Sequence, residues 1–255
     1  MGVFPRRNAT LTAQFYSPLA KYLSEKLERQ VKLVTAKDFP TFWRGVTEKR
    51  YDIVHYNQYH YIQSATDYEV IACNKEQGRD LISGALYVRS DSGITSIEQL
   101  RGRKIIFGGG KDAMMSYIVP RYLLLKGGLG ETDFTTSFAS NPPNAVLAVY
   151  FKQADAGGAG DVVMKLPTVT KIAKTDNLRF LAQSKPIKQL PWTVRRDLPV
   201  ELRQKIQTLL TGLSNTSNGK AILKAAHVND FSPANDSDYE STREIIREVL
   251  QKNGE

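Results

Sequence analysis

The sequence predicts an α/β protein of two lobes, with mainly parallel sheets flanked by helices. Two observations predict it. Short β-branched apolar runs alternate with helix-spaced apolar stripes at βαβ spacing, in two blocks of about 1–84 and 90–185. The stretch after about 190 is helical with no sheet of its own, so it is expected to pack back on the first block. The chain then crosses between lobes twice. Lobe 1 is 1–86 plus 190–255, and lobe 2 is 87–189.

In lobe 1, Gly2 to Phe4 is a short strand ended by Pro5, and Arg6-Arg7-Asn8-Ala9-Thr10 is a polar loop. A helix follows from about Thr12 to Leu27, with Leu19, Tyr22, Leu23 and Leu27 on its buried stripe. Val31 to Thr35 reads as a strand. Asp38 caps a helix over Phe39 to Lys49 that turns Phe42, Trp43 and Val46 inward. Tyr51 to Tyr56 is the third strand, Asn57 opens a third helix, and Val70–Cys73 and Ala85–Arg89 are strands.

In lobe 2, Ser96 to Gly102 is a short helix. Lys104 to Phe107 is a buried strand, Gly108 to Gly110 a side-chain-free turn, and a helix runs from about Ala113 to Lys126. Asp133 to Phe138 is a strand, and Asn141-Pro-Pro-Asn-Ala-Val starts a helix with proline where a missing N–H does no harm. Gln153 to Asp161 is a strand and turn of small residues. Arg179–Ala182 and Trp192–Arg195 are strands, and Val200–Leu213, Ser217–Ala225 and Tyr239–Lys252 are helices.

Composition excludes several classes. The 255 residues carry 35 Lys and Arg against 26 Asp and Glu, a net +9, but no basic tract is longer than Arg6-Arg7 or Arg195-Arg196. With no zinc-finger spacing and no RNA-binding motif, nucleic acid is not the expected partner. No apolar run approaches the roughly 20 residues of a membrane span. Cys73 is the only cysteine, so neither a disulfide within the chain nor a multi-cysteine metal site can form. No nucleophile elbow, metal-ligand cluster or ordered Ser/His/Asp set is present, and the three histidines are His55, His60 and His227. An enzyme is not expected, and neither is a cofactor. The start at Met1-Gly-Val-Phe-Pro runs straight into a strand, which implies that a signal or anchor segment has been removed.

The stretch Lys104–Pro120 offers chemistry. A strand, a glycine turn and a helix start put unpartnered backbone N–H groups at the positive end of a helix dipole, which suits an anion. A plain turn explains the glycines equally well. It is not a nucleotide P-loop, because Lys111 is followed by Asp112 rather than Ser or Thr. Ligands of such sheets bind outside the carboxyl ends of strands. Asp161 stands there, as an acceptor for a protonated oxyanion or as a helix cap. Tyr56, Asn57 and Tyr59 stand at another strand end, as donors or as cap and packing residues. Asn8 with Thr10, and Asn141 with Asn144, have the same two readings at their helix starts.

Taken in order, several segments resemble the PhnD-like periplasmic solute-binding proteins of phosphate, phosphite and phosphonate ABC importers. They are Tyr51-Asp-Ile-Val, the run from Ser90 to Ile105, Tyr117-Ile-Val-Pro120, Ala145-Val-Leu-Ala-Val and Gln153-Ala-Asp-Ala with Asp161. The resemblance covers nearly the whole chain. It implies a two-lobed periplasmic binding protein fold of type II and a monomer that captures a small oxyanion between the lobes for an ABC permease. In that family a Ser-Thr-Ser-Gly loop opening a helix, tyrosines, a His and an Asp hold the anion. Here the loop falls on Ala113, Met114, Met115 and Ser116, and the His on Pro142, while the Asp is kept as Asp161. The resemblance thus keeps Asp161 and leaves the amides of Met114, Met115 and Ser116 as contacts, to which the strand-end and helix-start readings above add Asn8, Tyr56, Asn57, Tyr59 and Asn144. An alternative is a sensor that binds arsenite or a related thiophilic species through Cys73 and signals to a histidine kinase. A lone strand cysteine is otherwise a small buried hydrophobe.

Overall fold

A computed structural model describes residues 1–5 and 8–252; Arg6 and Arg7 of the expected polar loop lie outside the described residues. The chain divides into unit 1, Met1–Leu81 with Lys188–Glu240, and unit 2, Ile82–Ile187 with Ser241–Glu255. Unit 1 opens with β1 (Gly2–Val3), α1 (Ala9–Leu27), α2 (Phe39–Thr47), β2 (Ile53–His55), α3 (Gln58–Ser64) and β3 (Tyr68–Lys75). β4 (Leu81–Ile82) carries the chain into unit 2. There it forms β5 (Gly84–Arg89), β6 (Lys104–Gly108), α4 (Val119–Lys126), β7 (Thr135–Ala139), α5 (Pro142–Tyr150), β8 (Ala156–Gly160), α6 (Pro167–Thr170) and β9 (Leu178–Gln183). β10 (Ile187–Lys188) pairs with β4 on the way back. Unit 1 is then completed by β11 (Pro191–Arg195), α7 (Val200–Thr211), α8 (Ser217–Ala226) and β12 (Asp230–Pro233), and α9 (Glu240–Lys252) follows.

Among the described residues, unit 1 holds a five-stranded sheet of order β1-β2-β11-β3-β12, and unit 2 one of order β7-β6-β8-β5-β9. Both are mixed rather than mainly parallel. β1 and β2 are parallel, as are β6 with β7 and β6 with β8. β11 runs antiparallel to both β2 and β3, β12 to β3, and β5 to both β8 and β9. The βαβ alternation sets the direction of β1, β2 and β3 and of β6, β7 and β8. The reversed strands are those that enter or leave near a crossing, which helix spacing does not report.

Three other expectations change. The chain crosses at a third point, after Glu240, because α9 belongs with unit 2: Ile245, Ile246 and Val249 are buried and Glu248 pairs with Lys126 of α4 at 2.6 Å. The helical tail also contributes β12 to the edge of unit 1's sheet. Residues 31–35 form no strand; only Val34 bridges, to Gly2, since β1 is two residues long and offers no longer partner.

Local chemistry explains the helix starts. Asn8, Asp38, Asn57, Asn141 and Thr216 each accept a hydrogen bond from the amide three residues on, satisfying a donor that no helical carbonyl reaches. Leu19, Leu23 and Leu27 of α1 and Phe42 and Val46 of α2 fill the unit 1 core as their spacing requires. Trp192 of β11 lies at its centre, fully buried, stacked on His55 at 4.4 Å and with its indole N–H donating to Asn74 Oδ1 at 3.0 Å.

Candidate functional site

In unit 2, β6, β7 and β8 run parallel, so their carboxyl ends share one edge of the sheet. Gly108, Ala139 and Gly160 end these strands and lead to the helical segment at Met114, to α5 and to Asp161. The first two loops are tied together by the Gly109 amide, which donates to the Ala139 carbonyl at 2.8 Å. A Cβ on Gly108 would overlap the backbone of Asn141 and Pro142, so only glycine admits this approach. Gly109 has φ +100°, a conformation that glycine alone adopts without strain.

The helix behind the glycine turn begins with a widened turn. Ala113 is extended (φ −77°, ψ 100°), Ile118 donates to the Ala113 carbonyl, and Val119 donates to that of Met114, five residues back. Such wide turns recur at functional sites. The first amide to find a carbonyl within the helix is that of Tyr117, to Ala113 at 2.8 Å. The amides of Met114, Met115 and Ser116 therefore have no carbonyl behind them in the helix, and they stand where the dipole is positive. α5 starts at the same edge but offers no such set: Pro142 and Pro143 lack an N–H, and the Asn144 amide donates to Asn141 Oδ1 at 3.0 Å. Of the two helix starts, only the one at 114–116 can present consecutive amides to an anion.

β8, Ala-Gly-Gly-Ala-Gly, is buried throughout and lets helices lie on it from both sides. A Cβ on Gly158 would stand 2.5 Å from the Ser116 carbonyl oxygen and 2.7 Å from the Phe107 ring, while one on Gly157 would meet Val149 at 2.9 Å. The pleat turns these two glycines to opposite faces. Met115 lies against Gly160, with 3.7 Å between its Cβ and the Cβ position of that glycine, which brings the helix start beside Asp161. Asp161 donates its amide to the Ser83 carbonyl at 2.8 Å and accepts from Gln183 Nε2 at 3.3 Å through Oδ2. Its Oδ1 is inaccessible to water and has no hydrogen-bond partner. A buried acceptor in that state is destabilising unless a donor reaches it.

The other sequence candidates divide. Met114 and Ser116 are buried in the helix start, and Met115 is half-buried. The Asn144 side chain is exposed and donates to Ser140 Oγ at 2.8 Å. In unit 1, Asn8 Oδ1 accepts from Leu11 and Asn57 Oδ1 from the His60 amide, both at 2.9 Å, so each acts as a cap here. Tyr59 is half-buried, with its ring edge-on to His60. Tyr56 is corrected to a core residue. It is fully buried, with its hydroxyl 2.8 Å from Ser64 Oγ and 3.1 Å from Thr193 Oγ1, and burial raises its pKa far above the ordinary phenol value.

Cys73 is also corrected. It is fully buried in β3 between Pro191 and Ser232 on the neighbouring strands, and burial pushes its thiol up to about 12 despite the nearby Lys188. The thiolate, which is the form that engages thiophilic species, is not populated near neutral pH. The native protein is expected to resist a chromogenic thiol reagent at pH 8 and to react on denaturation. Reaction of the native protein within seconds would contradict this placement.

Residues 1–239 match the family of ABC transporter phosphonate periplasmic substrate-binding proteins. The chain belongs to this family. Its proteins are substrate-binding components of transporters rather than enzymes, and they are periplasmic. Among the described residues no helix is long and apolar enough to cross a membrane. The fold is that of type II periplasmic binding proteins. The binding protein component of an ABC phosphonate transporter from Pseudomonas aeruginosa is similar with a TM-score of 0.78 at 20% identity, over 99% of this chain and 86% of that one. PhnD1 from Prochlorococcus marinus in complex with methylphosphonate has a TM-score of 0.80 at 19% identity, over 98% and 97%. XAC2383 from Xanthomonas citri bound to ATP has a TM-score of 0.81 at 17% identity, over 99% and 97%.

Some residues at these edges escaped the sequence reading. Ser83, between β4 and β5, and Gln183, at the end of β9, hold Asp161 from positions distant in sequence and carry no motif. In unit 1 a pocket of about 70 Å³ opens among Phe15, Tyr16, Asn74, Glu76 and His227, near the ends of β1 and β3. Phe15 and Tyr16 of α1 are half-buried and lie outside the stripe of Leu19, Tyr22, Leu23 and Leu27. A larger cavity, about 340 Å³, lies at the opposite edge of unit 2's sheet among Arg89, Arg103, Lys104 and Lys152. Asp91 and the Tyr150 carbonyl engage Arg89 there, and Asp155 engages Arg103, so two of these four cations are already answered.

Proposed function

We propose that this chain captures a small, singly protonated oxyanion of the phosphonate, phosphite or phosphate type and delivers it to the permease of an ABC importer. The observation that carries this reading is that, within unit 2, Met115 of the helix start packs against Gly160, next to Asp161, whose buried Oδ1 has no hydrogen-bond partner. Amides favour deprotonated oxygens, whereas a carboxylate oxygen needs a donor. A phosphonate monoanion offers both. A sulphonate offers no proton, so it binds more weakly. The family resemblance puts Met115 in the place of a loop hydroxyl, and its apolar thioether suits an alkyl substituent better than a bare phosphate oxygen. The methylphosphonate complex of a protein with the same fold supports the same ligand class.

Calorimetric titration with methylphosphonate, phosphite, phosphate and methanesulphonate tests the reading. Methylphosphonate is expected to bind most tightly, with affinity falling as pH rises through its second ionisation. Asp161→Ala should weaken binding about 10- to 100-fold, the worth of one hydrogen bond to a charged group. Absence of heat and of thermal shift with all four anions would sink the reading. Unchanged or tighter binding by the variant would remove Asp161 from the site.

A further inference from the structure

The chain passes between its units after Leu81, after Ile187 and after Glu240, and all three approaches meet at Lys188. The Lys188 ammonium lies 2.9 Å from Asp80, next to the first crossing, and 3.9 Å from Asp238, two residues before the end of the third approach. The backbone here is fastened as well. The Gln189 amide donates to the Asp80 carbonyl at 2.9 Å, the Gln58 side chain to the Lys188 carbonyl at 2.9 Å, and the Tyr239 hydroxyl to the Gln189 carbonyl at 2.8 Å.

The charges are well placed to matter. The Lys188 side chain is 13% exposed, and those of Asp80 and Asp238 are 32% and 31% exposed. Burial alone would lower the lysine pKa, yet the hydrogen bond to Asp80 and the surrounding charges raise it overall, while the same bond holds Asp80 below the usual carboxylate range. β4 and β10 are only two residues each, and a ribbon that short is marginal on its own. Something beyond strand pairing must hold the crossings.

We infer that Lys188 is a positioning residue, a clasp that joins the three crossings through Asp80 and Asp238 and sets how readily they open. In a binding protein, motion of one unit against another is absorbed by a few residues at such crossings. Opening that is too easy depopulates the binding-competent state and weakens apparent affinity in proportion. This last step rests on the proposed oxyanion function; the clasp itself does not.

The test compares wild type, Lys188→Met, which keeps the apolar stem, and Lys188→Arg, which keeps the charge, in the full chain. Amide hydrogen exchange of 80–83 and 186–190 in the ligand-free Met variant is expected to be about tenfold faster or more, with the two sheets unchanged. Methylphosphonate affinity should fall about five- to tenfold, and the Arg variant should recover both. Asp80→Asn serves as the second variant should Lys188→Met fail to fold. Unchanged exchange at these segments, or acceleration spread evenly over the chain, would overturn the clasp. Local acceleration with unchanged affinity would overturn the positioning role. If wild type binds none of the anions, the oxyanion reading fails and the exchange measurement still decides the clasp.

Discussion

Gly158→Ala is expected to lower the melting temperature and abolish anion binding, whereas Gly160→Ala, two residues along the same strand, is expected to do neither. The added methyl at 158 would stand 2.5 Å from the Ser116 carbonyl oxygen, 2.7 Å from the Phe107 ring and 2.9 Å from Pro120. A backbone carbonyl cannot swing away as a side chain can, so the helix start must lift off β8. Overpacking of this kind costs about 2–3 kcal/mol, a melting shift of about 4–12 °C. The same displacement moves the 114–116 amides, so binding is lost with it. At Gly160 a methyl meets Ile82 at 3.5 Å and Met115 at 3.7 Å, which is ordinary contact. Thermal denaturation and methylphosphonate titration of the two variants check this pair. Indistinguishable melting curves would show that the helix start does not rest on β8.

Trp192→Ala is expected to be the most destabilising single change in unit 1, by about 3–5 kcal/mol. The indole stacks on His55 with the rings 6° from parallel, meets Phe231 edge-on and donates to Asn74. Removing it opens a cavity and also leaves the buried Asn74 oxygen without this donor, a further penalty that Trp192→Phe shares without the full cavity. The chain has two tryptophans, and Trp43 is the partly buried one. Trp43→Ala should therefore lose distinctly less stability and leave the blue-shifted emission of Trp192. Urea denaturation followed by fluorescence separates them. Equal losses for the two alanine variants would contradict the central place given to Trp192.

The sequence shows what a segment does to its own neighbours and little of what crosses it from afar. The buried stripe of α1, the caps at Asn8, Asp38, Asn57 and Asn141, and the strand–glycine–helix run from Lys104 were all legible because their causes lie within a few residues. The antiparallel insertion of β11 was not, since an apolar run carries no record of the direction of its partners. Tyr56 shows the same limit in the candidate site. Its position at a strand end suggested a donor, but Thr193, 137 residues away, takes up its hydroxyl. The missing amides of α5 were legible in Pro142-Pro143. The partners of Asp161 were not.

The placement of α9 means that this fold cannot be cut where its sequence suggests. A fragment of residues 82–187 carries every strand of unit 2's sheet yet lacks the helix whose Ile245, Ile246 and Val249 are buried and whose Glu248 pairs with Lys126. A free-standing unit 2 therefore calls for splicing residue 187 to residue 241, a chain order the natural protein never has. By the same logic, clipping the tail at 240 wounds the unit encoded in the middle of the sequence and leaves intact the one that flanks it.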